Sequence, residues 1–379
     1  MLEKVEVADI LRGLGEKVEH LGFNNHQLRT LSALRKCRTS ELGGHIDACG
    51  ECGTVRISYN SCRNRHCPKC QGNKREEWIR KRNAELLPVS YFHVVFTLPD
   101  ALNCLCLHAP RILYALLFMS VWETLRQFGF NKGVKIGMIC VLHTWGQNLG
   151  LHPHLHCIIP CGGVDKNGKW KNIRADGKFL FPVKALSKVF RAKYVAHLRK
   201  HKLGSQELFD ALFSKEWVVY ARRPFAHPSH VVEYLGRYTH KVAISNNRIL
   251  SYENGKVRFR YKDYRHNGVQ KEMELDEKEF VRRLSLHILP QGFVRIRHYG
   301  ILSSTTKKEA IPCIREQLPD NDFVHVAVSK GKPYNPLICP CCGKESMVTI
   351  GVIPVRGPPV FLSEQRTSGC LSDGLIRIS

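Results

Sequence analysis

The sequence predicts an α+β protein in which an N-terminal zinc-binding module precedes a domain with a mainly antiparallel sheet flanked by helices. Six cysteines and two histidines lie within positions 37–70, a density typical of a small module that is held together by metal. Further along the chain, segments with strand-like alternation are interleaved with helical segments and hairpins, which is typical of α+β architecture.

The sequence of the N-terminal part predicts a helical region followed by a segment whose fold depends on bound metal. Apolar residues recur at helical spacing in the first 36 residues, as in Val7, Ile10 and Leu14. The Cys- and His-rich stretch that follows is too short to bury enough apolar surface to fold unaided. A charged helix is predicted from Gln71 to Glu85, and we expect residues 1–85 to form one domain.

The middle of the chain alternates predicted strands and helices. The predicted strands are "YFHVVFTLP", "VKIGMICVLHTW", "HLHCIIPCGGV", "EWVVYARRPF" and "GFVRIRHYGIL", and the predicted helices are residues 110–128, "FPVKALSKVFRAKYVAHLRKHK", "HPSHVVEYLGRYTHK" and "DEKEFVRRLSLHIL". Asn254-Gly255 predicts a hairpin, because this pair favours a tight turn. We expect one domain over 90–302 and a C-terminal region over 303–379. Composition predicts disorder beyond Gly351.

The chain carries a large positive charge. Lys and Arg number 58 against 33 Asp and Glu, and the formal net charge of +25 is spread along the chain. Nucleic acid is the favoured partner, because binding of phosphates neutralises this charge and releases counterions. The longest apolar run, Ile112 to Trp122, is too short to span a bilayer, so no membrane partner is expected.

The N-terminal cysteines and histidines predict two structural zinc sites. Cys49-x2-Cys52 and Cys67-x2-Cys70 have the spacing of a tetrahedral zinc-thiolate site, and we expect these four residues to bind one ion. The remaining candidate ligands, for a second ion, are Cys37, His45, Cys62 and His66. His66 could instead face a phosphate.

A second cysteine motif, "CPCC", lies near the C-terminus. Cys339 and Cys342 are candidate ligands of an extra zinc ion, but they lack a clear partner pair. Cys313 and Cys370 are the candidates for that role. Because no secretory signal is evident, the clustered cysteines indicate reduced thiolates that bind metal in a cytoplasmic protein.

A row of histidines predicts a second kind of metal site. In the strand "HPHLHCIIP", His154 and His156 share one face. If the preceding strand pairs with it, His143 can face the same side and complete a site with open positions for substrate oxygens. His152 is the reserve candidate. A pair of histidines in this pattern is a weak signal by itself, since histidines also pack without metal.

Two tyrosines stand 80 residues later in "EYLGRYTHKVAIS". Tyr234 and Tyr238 share a helix face, and Lys241 lies on the same face. Such tyrosines usually pack on a sheet. They could also act as nucleophiles, because a nearby cation favours the phenolate form.

Taken together, these motifs resemble those of a known protein family. "GHIDACGECGTVRISYNSCRNRHCPKCQ", "HPHLH" and "YLGRYTHKVAIS" occur in this order, and over about residues 30–345 the chain resembles the rolling-circle transposases of the insertion-sequence-91 family. Those proteins are two-tyrosine members of the HUH superfamily of single-strand endonucleases. The resemblance implies an HUH domain with a sheet like that of RNA-recognition domains, and DNA as partner, in the form of single-stranded transposon ends and target. It also implies a nucleoid-associated protein of a prokaryotic cell.

The resemblance also implies roles for particular residues. His154 and His156 would bind Mg or Mn, with His143 as third ligand. Tyr234 and Tyr238 would attack the scissile phosphate, forming a 5′-phosphotyrosine and a free 3′-OH. This bond conserves the energy of the phosphodiester, so no nucleotide fuel is needed, and the sequence contains no convincing phosphate-binding loop.

Two other functions are compatible with the residues. A metal-dependent hydrolase could use the paired histidines without a tyrosine nucleophile. A non-catalytic zinc protein could bind DNA without cutting it. Replication initiators and conjugative relaxases share the chemistry of the transposases and are not distinguished from them by these motifs.

Overall fold

The computed structural model describes residues 4–70, 85–173, 180–225, 241–318 and 335–362. The chain divides into two compact units. The first comprises Met1–Gln71 together with Ser329–Ser379, and the second is Gly72–Val328. The "CPCC" segment is therefore part of the N-terminal unit and not of a separate region over 303–379, as was expected. Within the described ranges, none of the helices has the length and apolarity needed to cross a bilayer.

The described ranges contain eight α-helices and fourteen strands. The helices are α1 Val7–Leu14, α2 Asn25–Arg35, α3 Asn103–His108, α4 Pro110–Asn131, α5 Val183–Lys200, α6 Gln206–Ser214, α7 Glu277–Ser285 and α8 Lys307–Gln317. The strands are β1 Gly44–Cys49, β2 Val55–Tyr59, β3 Tyr91–Thr97, β4 Gly137–Trp145, β5 Leu151–Pro160, β6 Gly162–Val164, β7 Trp170–Asn172, β8 Val219–Phe225, β9 Ile249–Glu253, β10 Lys256–Asp263, β11 Val269–Asp276, β12 Ile296–Gly300, β13 Met347–Ile353 and β14 Val360–Phe361.

The N-terminal unit begins with the two helices predicted from the apolar spacing. Helix α1 buries Ile10 and Leu11, and Asp9 caps it by accepting a 2.7 Å hydrogen bond from the backbone N–H of Glu6. Helix α2 begins after Asn24, whose side chain accepts from two backbone N–H groups of the first turn. A 3₁₀ segment separates the helices, so the predicted helical region is interrupted.

A four-stranded antiparallel sheet completes the N-terminal unit, in the order β14-β13-β1-β2. Strand β13 pairs with β1 over its length, from Gly44 opposite Ile353 to Cys49 opposite Met347. The expectation of disorder beyond Gly351 is therefore corrected up to residue 362, where the described part ends. Proline and glycine suggested disorder there, but the apolar residues between them make strand pairs with β1 and β13.

The second unit is built on a five-stranded sheet in the order β12-β4-β5-β3-β8, in which every neighbouring pair is antiparallel. This architecture confirms the predicted antiparallel sheet flanked by helices. One face of the sheet packs against α4 and α5 in the main core. There Phe96 meets Phe190 edge to face with ring centroids 5.2 Å apart, and the hydroxyl of Tyr194 donates to the carbonyl of Leu113.

The opposite face of the same sheet is divided into two halves. Its apolar half, with Ile139 and Ile158, is covered by Ile311 and Ile314 of α8. The other half carries histidines. The sheet thus has one apolar face, while its other face combines an apolar half under helix α8 with a row of histidines.

A three-stranded meander, β9-β10-β11, lies outside the main sheet. The predicted Asn254-Gly255 hairpin is present, and both residues have positive φ angles, of 49° and 70°. Strand β11 was not predicted, although Asn267-Gly268 before it has the same turn conformation, with φ of 52° and 73°.

Two predicted helices fall on residues that the structure does not describe. Positions 71–84 contain nearly all of the charged helix predicted from Gln71 to Glu85. Positions 226–240 contain the segment "AHPSHVVEYLGRYTH", and with it most of the predicted tyrosine helix.

Candidate functional site

Three histidines converge on the polar face of the main sheet. His143 on β4 lies directly opposite His154 on β5, and His156 lies two positions further along the same face. One ring nitrogen from each lies within 4.8 Å of the others. We call these residues the histidine group. The structure brings together His143 and the two strand histidines, and it leaves the reserve candidate His152 outside this group.

In two of these rings, the Nδ1 atom already has a hydrogen-bond partner. Nδ1 of His154 lies 2.6 Å from the carbonyl oxygen of His152, to which it can donate. Nδ1 of His156 lies 2.9 Å from Nε2 of His93, and the two rings stack nearly parallel. Nε2 of both rings is therefore the nitrogen suited to a metal ion, an arrangement in which neighbouring groups fix the tautomer of each ligand.

His93, which was not predicted from the sequence, also contacts the histidine group. It lies on β3, buried at 2% exposure, and its side chain faces the same side of the sheet as His156. A single histidine in the apolar strand "YFHVVF" gives little signal. Only the pairing of β3 with β5 reveals that it supports a candidate ligand.

Burial favours the uncharged form of His154 and His156. It lowers the pKa of His154 to about 4 and the pKa of His156 well below its ordinary value, and neighbouring imidazoles add to the effect. Neutral imidazole is the form that binds metal. Within the described residues the group contains three nitrogen donors and no carboxylate. Such donors suit Mn²⁺ better than Mg²⁺, which takes oxygen ligands.

Lys241 brings a positive charge near the histidine group. Burial lowers the pKa of Lys241, and the charge of Lys241 in turn contributes to the lowered pKa of both strand histidines. Arg295 donates to the backbone carbonyl of Lys241, and Arg248 donates to the carbonyl of Gln147 in the loop between β4 and β5. A cation beside neutral imidazoles favours binding of a phosphate.

The two candidate nucleophiles lie outside the described residues. Tyr234 and Tyr238 both fall within 226–240. Lys241 is the first described residue after them, and it lies within electrostatic reach of His154 and His156.

Four cysteines of the N-terminal unit form a compact group, which we call the first thiol group. Its members are Cys37, Cys62, Cys67 and Cys70. Sγ of Cys70 lies 3.5 Å from Sγ of Cys37 and 3.7 Å from Sγ of Cys62. A tetrahedral zinc ion with bonds of about 2.3 Å would place its sulfurs about 3.8 Å apart, so the spacing fits zinc.

The thiols of this group perturb one another. A hydrogen bond from Cys62, followed by one from Cys67, lowers the pKa of Cys37. The pKa of Cys67 is raised, first by its hydrogen bond with Cys37. Four thiolates this close together require a cation between them, because their mutual repulsion would otherwise keep most of them protonated.

A second thiol group contains Cys49, Cys52, Cys339 and Cys342. Sγ of Cys49 lies 3.7 Å from Sγ of Cys342, and Sγ of Cys52 lies 3.6 Å from Sγ of Cys339. The expected combination of Cys49 and Cys52 with Cys67 and Cys70 is therefore corrected. Strand pairing of β1 with β13 brings the "CPCC" segment beside Cys49, which no spacing in the N-terminal sequence could indicate.

The two histidines of the N-terminal cluster stand apart from both thiol groups. His45 is on β1, with a side chain 42% exposed and Nε2 3.4 Å from a carboxylate oxygen of Asp47. His66 is half-buried next to Cys67. The expected ligand set with His45 and His66 is corrected, because the structure brings four cysteines together in each group and four thiolates would complete a tetrahedral site. Cys313, exposed on helix α8, is likewise not a member.

Comparisons with known proteins agree with this arrangement. Residues 10–98 match the model of a family described as "Transposase zinc-binding domain", and residues 137–310 match the family "Putative transposase". The chain is 42% identical to "Putative transposase y4qJ" of Sinorhizobium fredii, over 93% of this chain and 97% of that protein. It is 28% identical to the transposase for insertion sequence element IS801 of Pseudomonas savastanoi pv. phaseolicola, over 88% and 86%. No solved structure matches the chain.

Proposed function

The chain belongs to the insertion-sequence-91 family of transposases, and from this premise we propose that it nicks and rejoins single-stranded DNA through 5′-phosphotyrosine intermediates during rolling-circle transposition. A transposase binds DNA and cleaves and transfers its strands. The observation that carries the proposed HUH-type chemistry is the histidine group, in which three imidazoles meet near Lys241 on one face of an antiparallel sheet, two of them buried and that of His154 half-buried.

The histidine group would hold the catalytic Mn²⁺ or Mg²⁺. When bound, such an ion stabilises the negative charge that develops on the scissile phosphate. The carbonyl of His152 and the ring of His93 orient two of the imidazoles. The cations Lys241 and Arg248 attract the DNA backbone toward them.

Tyr234 and Tyr238 would supply the nucleophiles. The phenolate oxygen attacks the phosphorus, a new P–O bond to tyrosine forms, and the bond to the 3′ oxygen breaks and leaves a 3′-OH after protonation. The proton that the phenol gives up to solvent balances the one that the 3′ oxygen takes up, and the ammonium of Lys241 would favour the phenolate. A second tyrosine allows a second strand to be cut before the first is rejoined.

The depth of the histidine group supports a single-stranded substrate. His143 is 3% exposed and His156 is 8% exposed, so a phosphate must enter a recess to reach them. A flexible single strand can bend its backbone into such a recess more easily than a stiff duplex can.

The proposed function is tested with a labelled single-stranded oligonucleotide that carries an end of the element. With Mn²⁺ or Mg²⁺, the protein should nick it and form a covalent protein–DNA product. The variant His154→Ala/His156→Ala should nick about 10²–10³-fold more slowly, because it loses several kcal/mol of charge stabilisation at the phosphate.

The matched control is His152→Ala, which keeps the backbone carbonyl that faces His154. It should nick at close to the wild-type rate. Metal-independent nicking, or full activity in the double variant, would exclude the proposed site. Binding of the oligonucleotide without any nicking would favour a non-catalytic DNA-binding protein.

His93 is expected to set the metal affinity of the site. Because Nε2 of His93 lies 2.9 Å from Nδ1 of His156, His93→Phe removes the group that holds the proton on Nδ1. We expect Mn²⁺ to bind about 10–100-fold more weakly, as measured by calorimetry on the purified protein.

Val94→Ala is the control for this effect. Val94 is the next residue on β3, is equally buried, and faces the main core instead of the histidines. It should lower thermal stability without changing the Mn²⁺ affinity. Equal Mn²⁺ affinities in wild type and His93→Phe would show that His93 does not support the ligand.

We also assign a structural zinc ion of the N-terminal domain to the first thiol group. All four of its residues fall within the matched zinc-binding domain, and the sulfur spacing fits a zinc ion.

A further inference from the structure

We propose that Cys49, Cys52, Cys339 and Cys342 bind a second zinc ion, which fastens the C-terminal segment 335–362 to the N-terminal unit. The matched zinc-binding domain ends at residue 98, so it contains only half of this second thiol group. The site is independent of the proposed DNA cleavage. Two cysteine-containing loops and the pairing of β1 with β13 form this site.

The two halves of the group have the same local structure. Each is a C-x2-C-G loop, "CGECG" and "CPCCG". Gly53 and Gly343 follow the second cysteine with φ of 69° and 72°, and the N–H of each donates to the carbonyl of the first cysteine at 3.0 Å. Glycine adopts such positive φ angles without strain.

In each loop, a backbone N–H also donates to the sulfur of the first cysteine. The N–H of Cys52 donates to Sγ of Cys49, and the N–H of Cys341 donates to Sγ of Cys339, both at 3.4 Å. Backbone N–H groups that point at a sulfur stabilise its thiolate form, the form in which cysteine binds zinc. Two loops of the same construction, facing each other with sulfurs 3.6 and 3.7 Å apart, make a complete tetrahedral donor set.

Other contacts hold the two chain segments in register around the sulfurs. Ser346 places its hydroxyl 3.0 Å from Sγ of Cys49 and its carbonyl 2.9 Å from the N–H of Gly50. Thr349 on β13 donates to the buried carboxylate of Asp47 on β1. Met347 packs on Cys49 and Cys339 in a small apolar cluster.

This cluster is too small to hold the segment by apolar burial. It contains three buried residues, and the flanking positions Val348 and Val352 are 60% and 42% exposed. The C-terminal segment therefore depends on the metal for its place in the sheet, as small zinc modules depend on zinc for folding.

The test is the zinc content of the full chain by native mass spectrometry. It is done in the His154→Ala/His156→Ala background, so that the histidine group does not add an ion. We expect two zinc ions per chain, and one after Cys339→Ser/Cys342→Ser. Cys341→Ser is the matched control, because Cys341 is an exposed neighbour outside the group, and it should keep two.

Hydrogen exchange provides the second readout. In the Cys339→Ser/Cys342→Ser variant, amides of Met347–Ile353 should exchange faster, while those of α1 and α2 should be unchanged. A single zinc ion in the chain with all cysteines present would overturn the proposal, and so would two ions in the serine variant. Because the first of these outcomes needs no cysteine substitution, the test remains decisive if the serine variant misfolds.

Discussion

The double variant Tyr234→Phe/Tyr238→Phe should form no covalent product with a single-stranded oligonucleotide. Phenylalanine keeps the ring and removes only the oxygen that bonds to phosphorus. Loss of a nucleophile lowers the turnover of an enzyme by a factor on the order of 10⁶, so the nicking rate should fall to background. The measurement is the shifted protein–DNA band on a denaturing gel.

Single variants separate the roles of the two tyrosines. If one cuts the donor and the other the next strand, only the variant that keeps the donor-cutting tyrosine should form an adduct with the donor oligonucleotide, and neither single variant should transfer strands. Tyr220→Phe is the control, because Tyr220 is 55% exposed on the edge strand β8. Retained nicking without an adduct in the double variant would indicate a metal-dependent hydrolase, and the proposed mechanism would then be wrong.

Removal of the first thiol group should have the largest effect on stability. Cys37→Ser/Cys70→Ser takes two ligands from a site whose zinc binding contributes on the order of 10–16 kcal/mol in small zinc domains. We therefore expect the N-terminal unit to unfold. Hydrogen exchange across Val7–Leu14 and Gly44–Cys49 measures the loss of structure directly.

The matched control for this prediction is Cys104→Ser. Cys104 is exposed on α3 in the other unit and lies outside both thiol groups. Its substitution should leave exchange in the N-terminal unit unchanged. Slow exchange across α1 in the double variant would mean that apolar burial by Ile10 and Leu11, and not metal, maintains this unit.

Local patterns predicted much of the second unit. Alternation of residues in "HPHLHCIIP" predicted that His154 and His156 lie on the same face of a strand. The short polar loop before this segment predicted that the preceding strand, which carries His143, is its antiparallel neighbour. The Asn254-Gly255 pair predicted a hairpin correctly, because the conformation of a tight turn depends on the residues within it. These features depend on residues within about one strand length of each other, where sequence spacing reports geometry.

Contacts between distant residues could not be read in this way. Cys49 meets Cys342 across 293 positions, and His93 meets His156 across 63, so no spacing rule connects them. In a Cys-rich segment, several different sets of four cysteines have spacings that could form a tetrahedral zinc site. Only the strand order decides among them, and that order depends on which apolar faces pack together.

The N-terminal unit has a consequence for the order of events during translation. In the sequence, strand β1 precedes the intervening unit Gly72–Val328, and its partner β13 follows that unit. Chains emerge from the ribosome from the N-terminus, and domains fold as they appear. The sheet that contains β1 must therefore stay incomplete until residue 353 has been synthesised, by which time the intervening unit has had the opportunity to fold. A prematurely terminated product would carry the histidines yet lack this sheet's inner strand.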